Sequence, residues 1–165
     1  MIVVCDNSEL HLLEFTDRKA LQTELKKLHT VFGHIKTPMG FGETPITQQV
    51  RKELTDFFEL RNAQFEVPVA MHSTAFTKTV WHALQKIPAG ETRSYSDIAR
   101  TVGKPAAVRA VARANGANPI AIIVPCHRVI GADGSLTGYG GGLWRKQKLI
   151  ELEQHYAKNS KRMDL

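Results

Sequence analysis

Residues 94–116 read SYSDIARTVGKPAAVRAVARANG, and this stretch determines how the second half of the 165-residue chain folds. Ser94 or Ser96 can cap a short helix, because a side-chain oxygen at that position accepts a hydrogen bond from the first helical turn. Gly103 then permits a tight turn, and the residues 106–115 predict a second helix. Two short helices joined by a turn that contains glycine are the pattern of a helix-turn-helix.

The elements on either side of this motif are also predictable. Ser73 or Thr74 can cap a helix that precedes the motif. The apolar residues 120–124 predict a buried strand after it. Residues 131–142 are rich in glycine and predict a loop, after which residues 143–156 predict an amphipathic helix. The second half is therefore expected to be mostly helical.

The first half of the chain has a mixed α/β pattern. The predicted elements are a hairpin of residues 1–5 with 10–15, a helix that starts at Asp17 and ends at Gly33, a loop over 37–45, a helix over 46–60 and an edge strand over 65–71. The sequence changes character near Ser73. The fold class is therefore expected to be α+β, with an N-terminal α/β domain over residues 1–72 and a C-terminal helix-turn-helix domain over residues 73–165.

Composition excludes several classes of protein. Hydrophobic residues make up 42% and charged residues 23% of the chain, which is the balance of a globular protein and not of a disordered chain, collagen or a coiled coil. The longest apolar run, residues 120–124, is far shorter than the roughly 20 residues that a membrane span needs. Cys5 and Cys126 cannot form a disulfide framework, and no CxxC pair predicts a metal site. With no secretory signal at the N-terminus, a cytoplasmic protein with reduced thiols is expected.

The net charge of +6 is divided unequally between the two halves. Residues 1–75 hold eight Lys and Arg against ten Asp and Glu, a net charge of −2, whereas residues 76–165 hold fourteen against six, a net charge of +8. A segregated basic half suggests a polyanionic partner, with nucleic acid first and a membrane surface second. The alternative is a solvated basic face that binds no partner.

The second helix of the motif carries mostly small side chains. Ala107 and Ala110 leave little bulk on its surface, and Arg109 and Arg113 lie one turn apart on one face. Small residues let a helix approach another surface closely, and arginines pair with phosphate. The same helix could instead pack tightly in a core with its arginines in water, but the helix-turn-helix pattern and the basic half favour DNA.

Cys126 is the candidate nucleophile. It follows an apolar run and a proline, and His127 and Arg128 come directly after it. A thiol reacts as the thiolate and needs a base, which His127 could supply directly or through a water. A carboxylate could fix the histidine tautomer, and Glu153 on the final helix is the candidate for it. Neighbouring residues of a strand point to opposite faces, so this arrangement requires a turn at residues 125–127.

Residues 124–129, VPCHRV, resemble the PCHRV active-site motif of the O6-alkylguanine-DNA alkyltransferases, or methylated-DNA–protein-cysteine methyltransferases. Further stretches resemble that family in order and spacing: residues 92–99 (TRSYSDIA), 107–111 (AVRAV), 118–119 (NP), 138–142 (GYGGG) and 145–153. The resemblance is specific over residues 73–156 and weak over residues 1–72. It indicates the stand-alone form of the family, without the cysteine-rich phosphotriester domain of larger relatives.

The resemblance implies a single-turnover DNA repair protein. Such a protein flips an alkylated guanine out of the duplex, because the O6 substituent cannot be reached inside the stack. Cys126 then keeps the alkyl group irreversibly as a thioether, and a minor activity on O4-alkylthymine is expected. The family also implies a small ribonuclease-H-like N-terminal domain and a winged-helix-like C-terminal domain. The expected partner is double-stranded DNA, bound through the minor groove by a monomer without an obligate protein partner.

The resemblance also implies roles for individual residues. His127 acts as base through a water, Glu153 orients His127, and Asn118 braces the active-site turn. The expected substrate-binding residues are Tyr95, Val129, Tyr139 and Gly140, with the backbone of Cys126 and Val129 at the base edge and Tyr139 in a loop over the base. Arg109 fills the vacated stack, and the other expected DNA contacts are Ala107, Ala110, Arg113, Arg128, Ser73 and Thr74. The absence of a side chain at Gly140 predicts acceptance of larger adducts such as O6-benzylguanine.

No cofactor and no metal are expected. If the source is eukaryotic, the expected compartment is the nucleus instead of the cytoplasm. Three other functions compete with alkyl transfer. One is a lesion-binding relative that recruits other repair factors, but such relatives lack the reactive cysteine that is present here. The others are a helix-turn-helix transcription regulator with a structural cysteine and a Cys–His hydrolase that turns over repeatedly.

Overall fold

A computed structural model describes residues 1–33 and 40–163, with side chains as far as residue 158. The predicted loop over 37–45 therefore lies partly outside the described residues, and residues 40–44 carry no regular secondary structure. In the described part of the chain, no helix is long and apolar enough to cross a membrane.

The N-terminal segment begins with the predicted hairpin. Strands β1 (Ile2–Cys5) and β2 (Leu10–Glu14) pair antiparallel, with Val3 opposite Leu13. The Asp6 carboxylate closes the turn by accepting hydrogen bonds from the amides of Ser8 and Glu9. Both predicted helices follow, as α1 (Leu21–Phe32) and α2 (Pro45–Phe58). Thr44 and Thr47 form a capping box at the start of α2.

The edge strand predicted over residues 65–71 is wrong. The segment makes a single parallel bridge, between Val69 and Leu10, and is otherwise irregular. Pro68 has no amide hydrogen to donate, so it contributes only its carbonyl, which accepts from the Leu10 amide at 2.8 Å. Ala70 N–H then donates to Leu10 O at 2.9 Å, which completes the short contact with β2.

The second half begins with α3 (Ala75–Gln85), which Thr74 caps. A two-residue strand β3 (Arg93–Ser94) leads into α4 (Tyr95–Thr101), and α5 (Val108–Gly116) follows after a turn. Gly103 has a φ of +71° in that turn, a conformation that favours glycine. The predicted pair of short helices is therefore confirmed. Strand β4 (Val129–Ile130) pairs parallel with β3, and the final helix is α6 (Leu143–Met163).

The strand predicted over residues 120–124 is a buried turn. Ile120 makes one parallel bridge to Leu13, after which the chain turns through Ile122, whose φ is +71°. The Asn118 side-chain amide donates to the carbonyls of Ile120 and Val124 at 3.2 and 2.8 Å, which holds the turn closed. An apolar run shows burial but not extended geometry, and these side-chain hydrogen bonds decide the conformation.

The buried core contains residues from both halves of the chain. One apolar cluster joins Leu10 and Val50 of the first half to Trp81 and Val111 of the second. A smaller cluster joins Phe57 to Ile122 and Leu149. Cys126 belongs to the larger cluster, so both halves pack around the residues that carry the candidate chemistry.

Candidate active site

Cys126 lies in the turn that its chemistry requires. Pro125 precedes one turn of 3-10 helix, Cys126–Arg128, and β4 follows directly. The thiol is buried, and the Asn118 side-chain nitrogen donates to Sγ at 3.1 Å. Burial raises the pKa of Cys126, and the Asn118 hydrogen bond opposes this only in part. The resting sulfur is therefore a thiol, and it needs a base before it can attack.

His127 and Glu153 are brought together as predicted. His127 Nε2 lies 2.9 Å from Glu153 Oε1, and both side chains are almost completely buried. Burial lowers the pKa of His127 despite the carboxylate beside it. Burial alone would raise the pKa of Glu153, but His127 and Arg128 lower it to about 2. A neutral His127 therefore donates through Nε2 to an ionised Glu153, which leaves Nδ1 as an unprotonated acceptor.

Arg128 does not take the predicted role in DNA binding. Its guanidinium is buried, donates through Nε and Nη2 to both oxygens of Glu153, and donates through Nη1 to Ile87 O at 2.5 Å. A guanidinium whose donors are engaged inside the protein is not available to a phosphate. Its positive charge instead keeps Glu153 ionised beside His127.

Arg18 holds the main chain at Asn118, and the sequence alone indicated no role for Arg18. Arg18 donates to Asn118 O at 2.8 Å and to Gly116 O at 3.0 Å. The same guanidinium pairs with the buried carboxylate of Glu14. The N-terminal segment thus fixes the backbone of the residue that contacts Cys126. Spacing along the chain gave no signal for this contact, because Arg18 and Asn118 are 100 residues apart.

Lys146 is a second residue that the sequence did not reveal. Its ammonium is buried and donates to Val129 O at 2.5 Å and to Thr137 O at 2.6 Å. Burial lowers the pKa of Lys146 to about 8, and the nearby Cys126 opposes this. Lys146 lies within a stretch that carries the family resemblance, which was the one available signal. It ties α6 to β4 and to the glycine-rich loop.

The expected substrate-binding residues surround a small cavity beside Cys126. Tyr139 and Gly140 line it, and its volume of about 10 Å³ is about the space of one water. Val129 is fully buried next to the active-site turn. Tyr95 OH donates to Thr137 O at 3.4 Å, so this side chain lies against the loop. A cavity of this size has no room for a nucleobase unless its lining moves.

The space beside Gly140 is occupied by Arg18. A Cβ atom at position 140 would lie 2.7 Å from Arg18 Nε. The missing side chain thus accommodates the guanidinium, and a larger adduct at this point has to displace it. A cleft of about 540 Å³ shares Arg18, Tyr139 and Gly140 with the small cavity, so these residues separate the cysteine from the cleft.

The helix-turn-helix residues lie on the surface, as DNA binding requires. Arg109 and Arg113 are exposed on α5, whereas Val111 and Ala114 of the same helix are buried. The other residues predicted to contact DNA are at least partly exposed, and they are Ala107, Ala110, Ser73 and Thr74. Within residues 1–33 and 40–163, no three His, Cys, Asp or Glu side chains are placed to hold a metal ion.

Comparison with known proteins identifies the family. The family described as 6-O-methylguanine DNA methyltransferase, DNA binding domain, matches residues 75–155. The methylated-DNA–protein-cysteine methyltransferase of Mycolicibacterium paratuberculosis is 44% identical over 152 residues, which are 92% of this chain and 91% of the relative. The protein of the same name from Mycobacterium bovis is 56% identical over 105 residues, 64% of each chain.

A solved structure agrees with these matches. The crystal structure of Mycobacterium tuberculosis OGT in complex with DNA superposes with a TM-score of 0.77 at 39% identity, and it covers 93% of this chain and 86% of that one. The mixed α/β fold described above is thus the fold of a DNA-bound relative. The chain belongs to the methylated-DNA–protein-cysteine methyltransferase family, the O6-alkylguanine-DNA alkyltransferases.

Proposed function

We propose that this protein repairs O6-alkylguanine in DNA by irreversible transfer of the alkyl group to Cys126 Sγ. The observation that carries the proposal is the buried pair of Glu153 and His127 directly after the buried Cys126 in the chain, in which Glu153 fixes the histidine tautomer. His127 Nδ1 is buried and has no hydrogen-bond partner among the described residues, so its lone pair is free to accept a proton. Asn118 holds the sulfur in place.

The reaction is a displacement at the alkyl carbon. His127 Nδ1 takes the thiol proton through one water, and the thiolate attacks the carbon attached to O6. The new S–C bond forms as the O–C bond breaks, and its electron pair leaves with guanine. Tyr95 donates a proton to the departing guanine, and His127 later restores the proton to Tyr95 through solvent. The thioether is not hydrolysed in this site, so each molecule acts once.

The basic second half supplies the DNA-binding surface. α4 and α5 act as a helix-turn-helix in a winged-helix-like domain over residues 73–165, and α5 enters the minor groove. Ala107 and Ala110 allow close approach, and Arg109 fills the space that the everted base leaves. Arg113, Ser73 and Thr74 contact the phosphate backbone.

The first half is a small ribonuclease-H-like domain over residues 1–72, and Arg18 connects it to the active-site turn. The protein acts as a monomer on DNA and needs no protein partner. Its expected compartment is the cytoplasm, or the nucleus in a eukaryote, and its bacterial relatives support the cytoplasm.

The stoichiometry of repair tests this proposal. An excess of a duplex with one O6-methylguanine is incubated with the protein, and the lesion that remains is quantified by nucleoside chromatography. We expect the loss of one lesion per protein molecule and then no further reaction. Loss of many lesions per molecule would indicate a hydrolase, and no loss despite binding would indicate a lesion sensor or regulator. His127→Ala should slow the single turnover without changing its stoichiometry.

A further inference from the structure

Asn115, the penultimate residue of α5, has a side chain that the proposed chemistry does not use. It is 2% exposed and lines the small cavity together with Cys126 and Tyr139. Its Nδ2 donates to the main-chain carbonyl of Cys126 at 3.3 Å. Its Oδ1 is buried and has no hydrogen-bond partner in the part of the chain that the structure describes. A buried acceptor that no protein group satisfies is available to a bound ligand.

The orientation of this amide is determined by its neighbour. The Cys126 carbonyl can only accept a hydrogen bond, so the amide nitrogen must face it. The oxygen is then left as an acceptor at the cavity. The hydroxyl of Tyr139 is also buried and unpaired among the described residues, and Tyr139 lines the same cavity. Two residues that line one cavity thus carry polar groups without a protein partner, and these groups are available to a polar ligand.

We propose that Asn115 is a specificity-determining residue, whose Oδ1 accepts a hydrogen bond from the exocyclic N2 amine of the everted guanine. This inference rests on the proposed function, because it concerns the base that delivers its alkyl group to Cys126. The N2 amine of guanine is a hydrogen-bond donor and lies on the side of N1 away from O6. Thymine presents only the O2 carbonyl oxygen at the equivalent position. Asn115 therefore favours O6-alkylguanine and disfavours O4-alkylthymine, which would leave Oδ1 facing another acceptor.

The backbone groups expected at the base edge support this assignment. The Cys126 carbonyl already accepts from Asn115, and the Val129 carbonyl already accepts from Lys146. The Cys126 carbonyl also accepts from the amide of Val129, so both of its lone pairs are used, and the Val129 carbonyl is not a wholly free acceptor either. Asn115 Oδ1 is free, and its position is fixed through the same Cys126 carbonyl. Reading of the base is thereby linked to the residue that carries the nucleophile.

Removal of the N2 amine from the substrate tests the inference. Single-turnover rates are measured for duplexes with O6-methylguanine and with O6-methylhypoxanthine, which lacks that amine. The ratio of the two rates is compared among the natural protein, Asn115→Leu and Asn115→Ala. The ratio isolates the contribution of the N2 amine, because the two duplexes carry the same methyl group and differ only in that amine. We expect the variants to discriminate about three- to tenfold less than the natural protein, the worth of one neutral hydrogen bond.

Equal ratios in the natural protein and in the variants would overturn the inference. Equal rates with the two substrates in the natural protein would overturn it as well, even if both variants fail to fold. Neither result would affect the proposed function. That proposal would fail separately, if the natural protein removed the methyl group from neither substrate.

Discussion

Replacement of Glu153 by glutamine should destabilise the protein strongly. Glu153 is the only carboxylate that the described residues offer to the buried Arg128, and it also accepts from His127. Its pKa of about 2, against an ordinary 4.5, corresponds to about 3 kcal/mol of stability at neutral pH. Loss of one partner of a buried ion pair typically costs about 3–5 kcal/mol, in agreement with that figure. The amide of Glu153→Gln would also turn a donor toward the guanidinium.

Urea unfolding followed by circular dichroism measures this loss. With a slope of about 2 kcal/mol per M, a loss of about 3 kcal/mol lowers the unfolding midpoint by about 1.5 M. Glu151→Gln is the matched control, because Glu151 lies on the same helix and forms only exposed contacts, to Lys148 and Gln147. That control should change stability by less than about 0.5 kcal/mol.

The effect of Glu153 should also depend on pH. A carboxyl with a lowered pKa stabilises the folded state above its ordinary pKa of 4.5, and this stabilisation is lost as the pH falls toward about 2. The difference between the natural protein and Glu153→Gln should therefore be constant near neutral pH and shrink below about pH 4.5. Equal midpoints for Glu153→Gln and Glu151→Gln, or a difference that does not shrink in acid, would refute the reasoning.

Four other perturbations have defined outcomes. Burial lowers the pKa of His127 below its ordinary value of 6.5. The single-turnover rate should therefore stay level on acidification to pH 6.5 and fall only below it. A fall of the rate centred above pH 6.5 would contradict a buried neutral base. Arg18→Met leaves Glu14 buried without its cation and should cost about 3–5 kcal/mol in thermal unfolding, and a second change, Glu14→Leu, should restore part of it. Arg109→Ala should slow alkyl transfer from duplex DNA by roughly tenfold or more, because Arg109 replaces the flipped base in the stack. The reaction with free O6-benzylguanine should stay unchanged. Equal slowing of both reactions would exclude this role of Arg109. Arg113→Ala should instead reduce the slope of DNA affinity against salt by about one, in a fluorescence anisotropy titration.

The helices could be predicted because their signals are local. Thr74 and Ser94 cap the helices that follow them, and Gly103 adopts the positive φ that the turn between α4 and α5 needs. The pairing of His127 with Glu153 close to Cys126 was predictable for another reason. The three residues lie in stretches that resemble one family, and a turn at Cys126 was the only geometry that allowed them to cooperate.

Long-range contacts were the part that the sequence could not reveal. Arg128 stands in a basic half and was assigned to DNA, but its partner Glu153 lies 25 residues further along the chain and binds it inside the core. The apolar run at residues 120–124 showed burial, whereas Asn118 decided that the backbone turns. Arg18 reaches Asn118 across 100 residues, and no local pattern predicts such a contact.

The site of the new thioether tests the central claim most directly. The protein is incubated with a duplex that contains O6-methylguanine, and its intact mass is measured, followed by peptide mapping. We expect one methyl group per molecule in place of the thiol hydrogen of Cys126. Cys5→Ala should gain the same methyl group, since Cys5 lies outside the site, and Cys126→Ala should gain none. An unchanged mass with the lesion still in the DNA, or a methyl group on any other residue, would contradict alkyl transfer to Cys126.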